Sequence, residues 1–423
     1  GNANNNGNAN NNSNANNNSN TNNNGNANAG QWPIERVTVG SGNTEGNDDS
    51  NALALSANGR YVVFASESTN ISSLDPLGRG IFLRDRDLDI TELVSLNPMG
   101  ESMGGIGDPD LSADGRYVLF GARRDRFDDD PQSSRSLFVR DTMNETTSIV
   151  GLTNDDERIN GDVDEGAISG DGSVVVFTSD GINLPEAGVY ARSLTAGTTR
   201  LLSQISTAPF NGNSQRPQPN SDGNRVVFES NSSNAGLNSN GITQIYLADG
   251  ANDPVNVSVD GDGNPANALT SYPVISGDGR YVAFHSTATN LVPGADDVAV
   301  RMYLRDTMLN TTVVASVDPS GEFISSVPAL SGITDDGRYV TFSSNQGDSS
   351  PQADVFVFDR DSGTSTRISR RFDRTDPNIG CLEGTLSGDG SSAAFLTPST
   401  GMVEEQVLQN NDGYLVTLPV PSE

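Results

Sequence analysis

Lysine is absent from this sequence of 423 residues, so all 25 basic residues are arginines, set against 55 carboxylates for a formal charge of −30. A surface that acidic repels polyanions, which argues against nucleic acid and anionic membranes as partners. It fits a secreted protein or one from a salty medium. Cys381 is the single cysteine, leaving no intrachain disulfide and no amino-terminal lipid-anchor cysteine. His285 is the single histidine, which removes most zinc sites and makes any Ser-His-Asp arrangement depend on one residue. No apolar run approaches the roughly 18 residues of a membrane span. The sequence opens at Gly1 rather than Met, and the expectation is a cleaved leader and an extracellular or cell-surface location.

What is present begins with an asparagine tract, GNANNNGNANNNSNANNNSNTNNNGNANAG. Read in hexads it is GNANNN twice, SNANNN, SNTNNN and a fading GNANAG. Every even position is asparagine: Asn2, Asn4, Asn6, Asn8, Asn10, Asn12, Asn14, Asn16, Asn18, Asn20, Asn22, Asn24, Asn26 and Asn28. The odd positions are Asn or small residues. A period of two is that of an extended strand, with one face all asparagine. Charge is absent until Glu35, which divides the chain into a tract over residues 1–31 and a second unit over 32–423.

That second unit is a repeat. LSANGRYVVFAS from Leu55, LSADGRYVLFGA from Leu111, ISGDGSVVVFTS from Ile168 and PNSDGNRVVFES from Pro219 are followed by ISGDGRYVAFHS from Ile275, ITDDGRYVTFSS from Ile333 and LSGDGSSAAFLT from Leu386. The turn glycines Gly59, Gly115, Gly172, Gly223, Gly279, Gly337 and Gly390 lie 51 to 58 residues apart. Each copy reads as a strand, an Asx-Gly turn that uses positive φ, and a second strand. A third strand follows, as in IFLRD from Ile81 and MYLRD from Met302, and then a fourth, as in TELVS from Thr91 and TVVAS from Thr312. Four antiparallel strands per unit make one propeller blade. The seventh unit ends after its third strand, GYLVTL from Gly413, and the missing fourth is supplied by IERVTV over Ile34–Val39. The expected fold is therefore all-β: a seven-bladed β-propeller of four-stranded blades, its ring closed by the N-terminal strand, preceded by an extended Asn-rich β tract.

The run from Ser276 through DGRYVAF, TNLVPGADD and MYLRDTMLNTT to Thr312 resembles the TolB-like propeller repeat of bacterial secreted and periplasmic proteins, and the likeness spans about 390 residues. The chain departs from TolB in having no preceding α/β domain and seven blades in place of six. The resemblance implies fold more than function, since the family hosts binding modules, enzymes with added domains and members of unknown role.

Few residues offer chemistry. His285 follows Phe284 on a second strand, at the place taken by Ala65, Gly121, Thr178, Glu229, Ser343 and Leu396 elsewhere, and no G-x-S-x-G elbow accompanies it. No paired carboxylates stand out, and no enzyme is expected. No cofactor is expected either. Calcium is the more reasonable ion, at Asp85, Asp87 and Asp89 or at Asp260, Asp262 and Asn264, against a reading of both as solvated turns. The acidic groups at 128–130, 155–157 and 162–165 read as solvated surface.

The tract has three readings: a flexible spacer, a small solenoid, or strands that pair between molecules with asparagine amides laddered along one face. Five hexads are too few for a solenoid, and none carries an apolar residue for its interior. A propeller is far wider than the ~4.8 Å between paired strands, so the strands must be staggered or radially splayed; a slip of one hexad shifts a subunit by about 20 Å. The expected function is a structural homopolymer built on the even-position asparagines, with the propellers outward. The alternative is a monomeric extracellular module binding a small ligand, glycan or calcium on an Asn-rich stalk.

Overall fold

The computed structural model describes residues 32–128, 134–206, 208–235, 241–250, 252–326, 329, 331–345, 353–369, 380–398, 400, 402–403 and 410–419. The Asn-rich tract and its fourteen even-position asparagines lie outside them. Seven antiparallel sheets follow one another around a central channel. Six have four strands, and the sixth blade has three among the described residues, Tyr339–Ser344, Asp354–Asp359 and Thr364–Arg367. Beside Tyr339–Ser344, Gly332 and Thr334 still exchange backbone hydrogen bonds with Thr341 and Tyr339. The protein is a seven-bladed propeller. No helix among the described residues is long and apolar enough to cross a membrane.

The ring closes as the sequence suggests, with a shorter strand. Ile34–Arg36 pairs with Asp412–Thr417, Ile34 opposite Val416 and Arg36 opposite Tyr414. The chain leaves the sheet at Thr38, whose hydroxyl donates to Asp412, and Val39–Gly40 turns back as a small hairpin with Thr44–Glu45. The fourth strand of blade 4 is also short, Val255–Asn256, and follows Pro254.

The second strands are buried on both faces, since each is flanked by neighbouring blades as well as by its own sheet. One aromatic stack per blade fills the space: Phe64–Phe82, Phe120–Phe138, Phe177–Tyr190, Phe228–Tyr246, Phe284–Tyr303, Phe342–Phe356 and Phe395–Tyr414, with centroids 5.4–6.2 Å apart. Each offset stack contributes roughly 0.5–1.5 kcal/mol beyond its buried area.

The repeated polar residues are structural. In the S-x-D-G turn the Ser112 hydroxyl donates to Asp114 and accepts the Tyr117 N–H, and the same arrangement recurs at Ser276, Thr334 and Ser387. All seven turn glycines have φ between 66° and 75°, the left-handed region that favours glycine. An arginine one residue after the glycine, or two after it in blade 4, reaches the aspartate ending the third strand: Arg60–Asp85, Arg116–Asp141, Arg225–Asp249, Arg280–Asp306 and Arg338–Asp359, at 2.6–3.1 Å. The Arg116 guanidinium holds the Asp141 carboxyl down to about 2. The arginine preceding that aspartate does something else. Arg84, Arg192 and Arg305, each hydrogen-bonded to a fourth-strand threonine, grip the carbonyls of the chain entering from the preceding blade. Thr91, Thr147, Thr199 and Thr312 donate to the same segments, at 2.6–2.8 Å.

A closed collar of backbone hydrogen bonds links the blades at the turn end of the channel. Ala57 donates to Ala113, Ala113 to Gly170, Asp171 to Ser221, Ser221 to Gly277, Asp278 to Asp335, Asp335 to Gly388, and Asp389 back to Ala57, all at 2.7–3.0 Å. The residue between Ser and Asp in each turn sits in this collar, which is why it is small in six blades of seven. Blade 6 has Asp335 there. Its carboxylate reaches over blades 4, 5 and 7: a Cβ on Gly277 or Gly388 would fall 2.2 or 2.5 Å from its oxygens, and Ser221 donates to it at 3.4 Å.

Candidate functional site: the central cup

The early part of the first strands, away from the collar, lines a cup of about 980 Å³ in the channel. Its wall is made of the first strands, and five of the first six blades carry the same device there. The register between first and second strands slips between Asn51 and Leu53, Ile106 and Asp110, Asp164 and Ala167, Gln215 and Gln218, and Ser271 and Val274. At each slip one residue has a left-handed backbone: Ala52, Gly107, Glu165, Arg216 and Tyr272, with φ of 47–70°. Four of the five are not glycine, and each such residue stores roughly 1–2 kcal/mol. These bulges set Glu165, Arg216 and Tyr272 into the lining.

Two buried second-strand residues support the bulges from behind. Glu229, 2% exposed in its side chain, accepts from Gln215 Nε2 and Arg216 Nη1 at 3.1 Å and from the Tyr272 backbone N–H at 2.6 Å. It thereby ties the wall of blade 4 to that of blade 5. The Arg216 guanidinium lies over the Tyr272 ring, 4.4 Å from its centroid. One blade further on, His285 sits edge-on to Tyr272, and its Nδ1 is 3.0 Å from the Ser326 hydroxyl. Burial lowers the His285 pKa to about 4, against a smaller opposing effect of the Ala329 carbonyl.

The sign of that shift is testable. A histidine held neutral in the fold stabilises it fully above its unfolded pKa of ~6.5, and that contribution is lost as pH falls toward 4. Over that window the wild type is expected to lose about 3 kcal/mol more than His285→Gln, measured by urea unfolding at a series of pH values. Equal slopes for the two proteins would refute it. His285 thus braces the wall through Tyr272 and Ser326.

The cup's acidic side belongs to blades 2 and 3. Asp164 pairs with Arg135 at 2.9 Å, and Asp108 lies 3.8 Å from Arg79. Asp110 has no such cation; its two oxygens accept the backbone N–H groups of Leu111 at 2.8 Å and Ile168 at 2.9 Å, and burial lifts its pKa to about 6. The Glu165 carboxylate accepts the backbone N–H of Arg216 at 3.0 Å. Among the described lining residues four carboxylates, Asp108, Asp110, Asp164 and Glu165, face two guanidiniums, Arg135 and Arg216, a net charge of −2.

The candidate calcium ligands have other partners. Asp85 is held by Arg60 and Asp89 by Arg84, both at 2.6 Å, and Asp260 accepts the backbone N–H groups of Asp262 and Asn264. Among the described residues no group of three or more His, Cys, Asp or Glu is arranged to hold a metal. Cys381 is buried and its thiol is pushed up to about 12 by desolvation, so it is inert near neutrality. The sequence pattern placed Asp164 and Glu165 on solvated surface, whereas both line the cup, and it did not single out Asp110, Arg216 or Tyr272. Glu229 stood in the same aligned column as His285 and was the signal that pointed to the wall.

No family model matches the chain, and no curated protein matches it. Solved structures do. Oligogalacturonate lyase in complex with manganese is similar over 92% of this chain and 97% of its own, at 12% identity and a TM-score of 0.55. The β-propeller domain of the Trilobed protease from Pyrococcus furiosus matches 87% of this chain and 95% of its own, at 8% identity and a TM-score of 0.54. TolB from Acinetobacter baumannii is matched over 76% of this chain at 12% identity, with a TM-score of 0.41, and the chain spans 63% of that protein's length. At such identities the likeness shows the fold alone. The TolB-like propeller expected from the repeat is met at that level.

Proposed function

We propose that this chain is a non-enzymatic structural protein, extracellular or on the cell surface, that polymerises through residues 1–31 and displays its propeller outward. One observation carries the reading. Among the described residues the ring is sealed by Ile34–Arg36 on Asp412–Thr417, with Trp32 packed beside it. An alternating asparagine strand joined at the rim is then free to pair with copies of itself. A chain lacking residues 1–31 is expected to stay monomeric under conditions in which the full chain forms filaments by electron microscopy. Filaments of normal length from the truncated chain would overturn the reading.

A second reading, a binding module on an Asn-rich stalk, is favoured by the cup. Its volume falls at the upper end of the range for small-molecule sites, and its wall holds four non-glycine residues in strained conformations. The two readings are compatible, since the tract joins the outermost strand and the cup opens on the axis.

A further inference from the structure

The seven blades make the motif residues interchangeable, so the lining residues that break the repetition carry the information about a ligand. At the position five before each turn glycine the blades have Ala54, Asp110, Ala167, Gln218, Val274, Gly332 and Thr385. Only blade 2 places a charge there. Asp110 fixes the backbone of blade 3 through Ile168 N–H, but Ala54 and Val274 show that this position can do without a carboxylate. In blades 1, 3, 4 and 5 the left-handed bulge residue stands two positions before it, and blade 3 there has Glu165. Asp110 and Glu165 therefore lie on adjacent blades of one cavity, and no arginine side chain is hydrogen-bonded to either. The other two lining acids both have arginines.

We infer that the cup binds a small organic cation, with a primary ammonium seated against Asp110 and Glu165 and its carbon skeleton along Leu53, Pro109 and Tyr272. The inference rests on the cup being a binding site and adds the class of ligand. Three observations select that class. The lining carries two uncompensated negative charges, so an anionic ligand is repelled. Among the described residues no third carboxylate or imidazole joins the pair to complete a metal site. The chain has no lysine, so no side chain of its own, or of another copy, can bring an ammonium to the cup.

The ammonium is matched by chemistry as well as by charge. Each Asp110 oxygen already accepts one backbone N–H, leaving one lone-pair direction on each for a donor with several hydrogens, as an alkylammonium has. Tyr272 is held by its neighbours: Glu229 takes its N–H, Arg216 covers one face and His285 meets its edge. The wall opposite the carboxylates is therefore preformed.

The test is isothermal titration of the full chain with 1,5-diaminopentane at low ionic strength, beside a neutral trisaccharide and a dicarboxylate of similar length. Saturable binding of the diamine is expected, at least tenfold weaker in Glu165→Gln and in Asp110→Asn and unchanged in Asp87→Asn, an exposed acid outside the cup. Binding should also weaken as pH falls through about 6, where Asp110 takes up a proton. Glu165→Gln keeps the acceptor for Arg216 N–H, so it tests the proposal even if Asp110→Asn fails to fold. Equal affinity in wild type and Glu165→Gln, or equal loss in Asp87→Asn, would mean that the diamine is only a diffuse counterion and would overturn the inference. Binding of the trisaccharide but not the diamine would leave the cup a binding site and remove the cation. Silence from all three probes would remove both.

Discussion

Removal of residues 1–39 is expected to lower the melting temperature by on the order of 10 °C or more, whereas removal of residues 1–31 leaves it essentially unchanged. The two truncations differ by eight residues. Those eight include Ile34, packed on the blade-7 cluster with Trp32, and the fully buried Val37 and Val39. Burying side chains of this kind contributes roughly 1.5–3 kcal/mol each. Their loss also bares the edge of Asp412–Thr417 and removes Arg36 and Thr38 from the buried Asp412. Burial raises the Asp412 pKa to about 6 even with Arg36 beside it, so without these partners the charged carboxylate becomes still less favourable. Scanning calorimetry on both truncations and the full chain checks the result. Similar melting of all three would show that the ring does not depend on its N-terminal strand.

Glu229→Ala is the second large effect. It leaves Gln215 and the Tyr272 N–H without their acceptor, at about 1–3 kcal/mol for each buried donor, while the half-buried Arg216 loses its partner. Glu229→Gln should lose less, since the amide keeps the shape and one acceptor. The double variant Glu229→Leu with Arg216→Leu should recover most of the loss, because removing both charges also removes the need to desolvate them. Denaturant unfolding of the wild type, Glu229→Leu, Arg216→Leu and the double variant completes the cycle. An additive double variant would show that Glu229 acts independently of Arg216.

The parts of this fold that were legible in the sequence are those that recur. Ser-x-Asp-Gly, the following Arg and the Arg-Asp ending the third strand appear often enough to fix the strand count, the turns and the closure by Ile34. The collar was not legible, because each of its bonds joins residues some fifty positions apart, and what the motif shows of it is only a preference for small residues. The bulges were hidden for a different reason. A left-handed backbone usually announces itself through glycine, and here Ala52, Glu165, Arg216 and Tyr272 adopt it. Asp110 looked like one acid among 55, and only its placement against Ile168, 58 residues on, sets it apart. The repeat thus revealed the scaffold, while the site lies in the residues that depart from it.

The closing strand also has a mechanical meaning. Ile34–Arg36 is the first paired segment after the tract, and three residues join it to Asp412–Thr417. Tension along a polymer joined through residues 1–31 would reach that short strand before any other part of the propeller. The seal of the ring and the point of attachment are one element, so a pull strong enough to strip it would open the blade circle at the same moment. Arg36, with Glu45 and Asp412, and Arg86, with Glu35, are the side-chain fastenings that such a force would meet first.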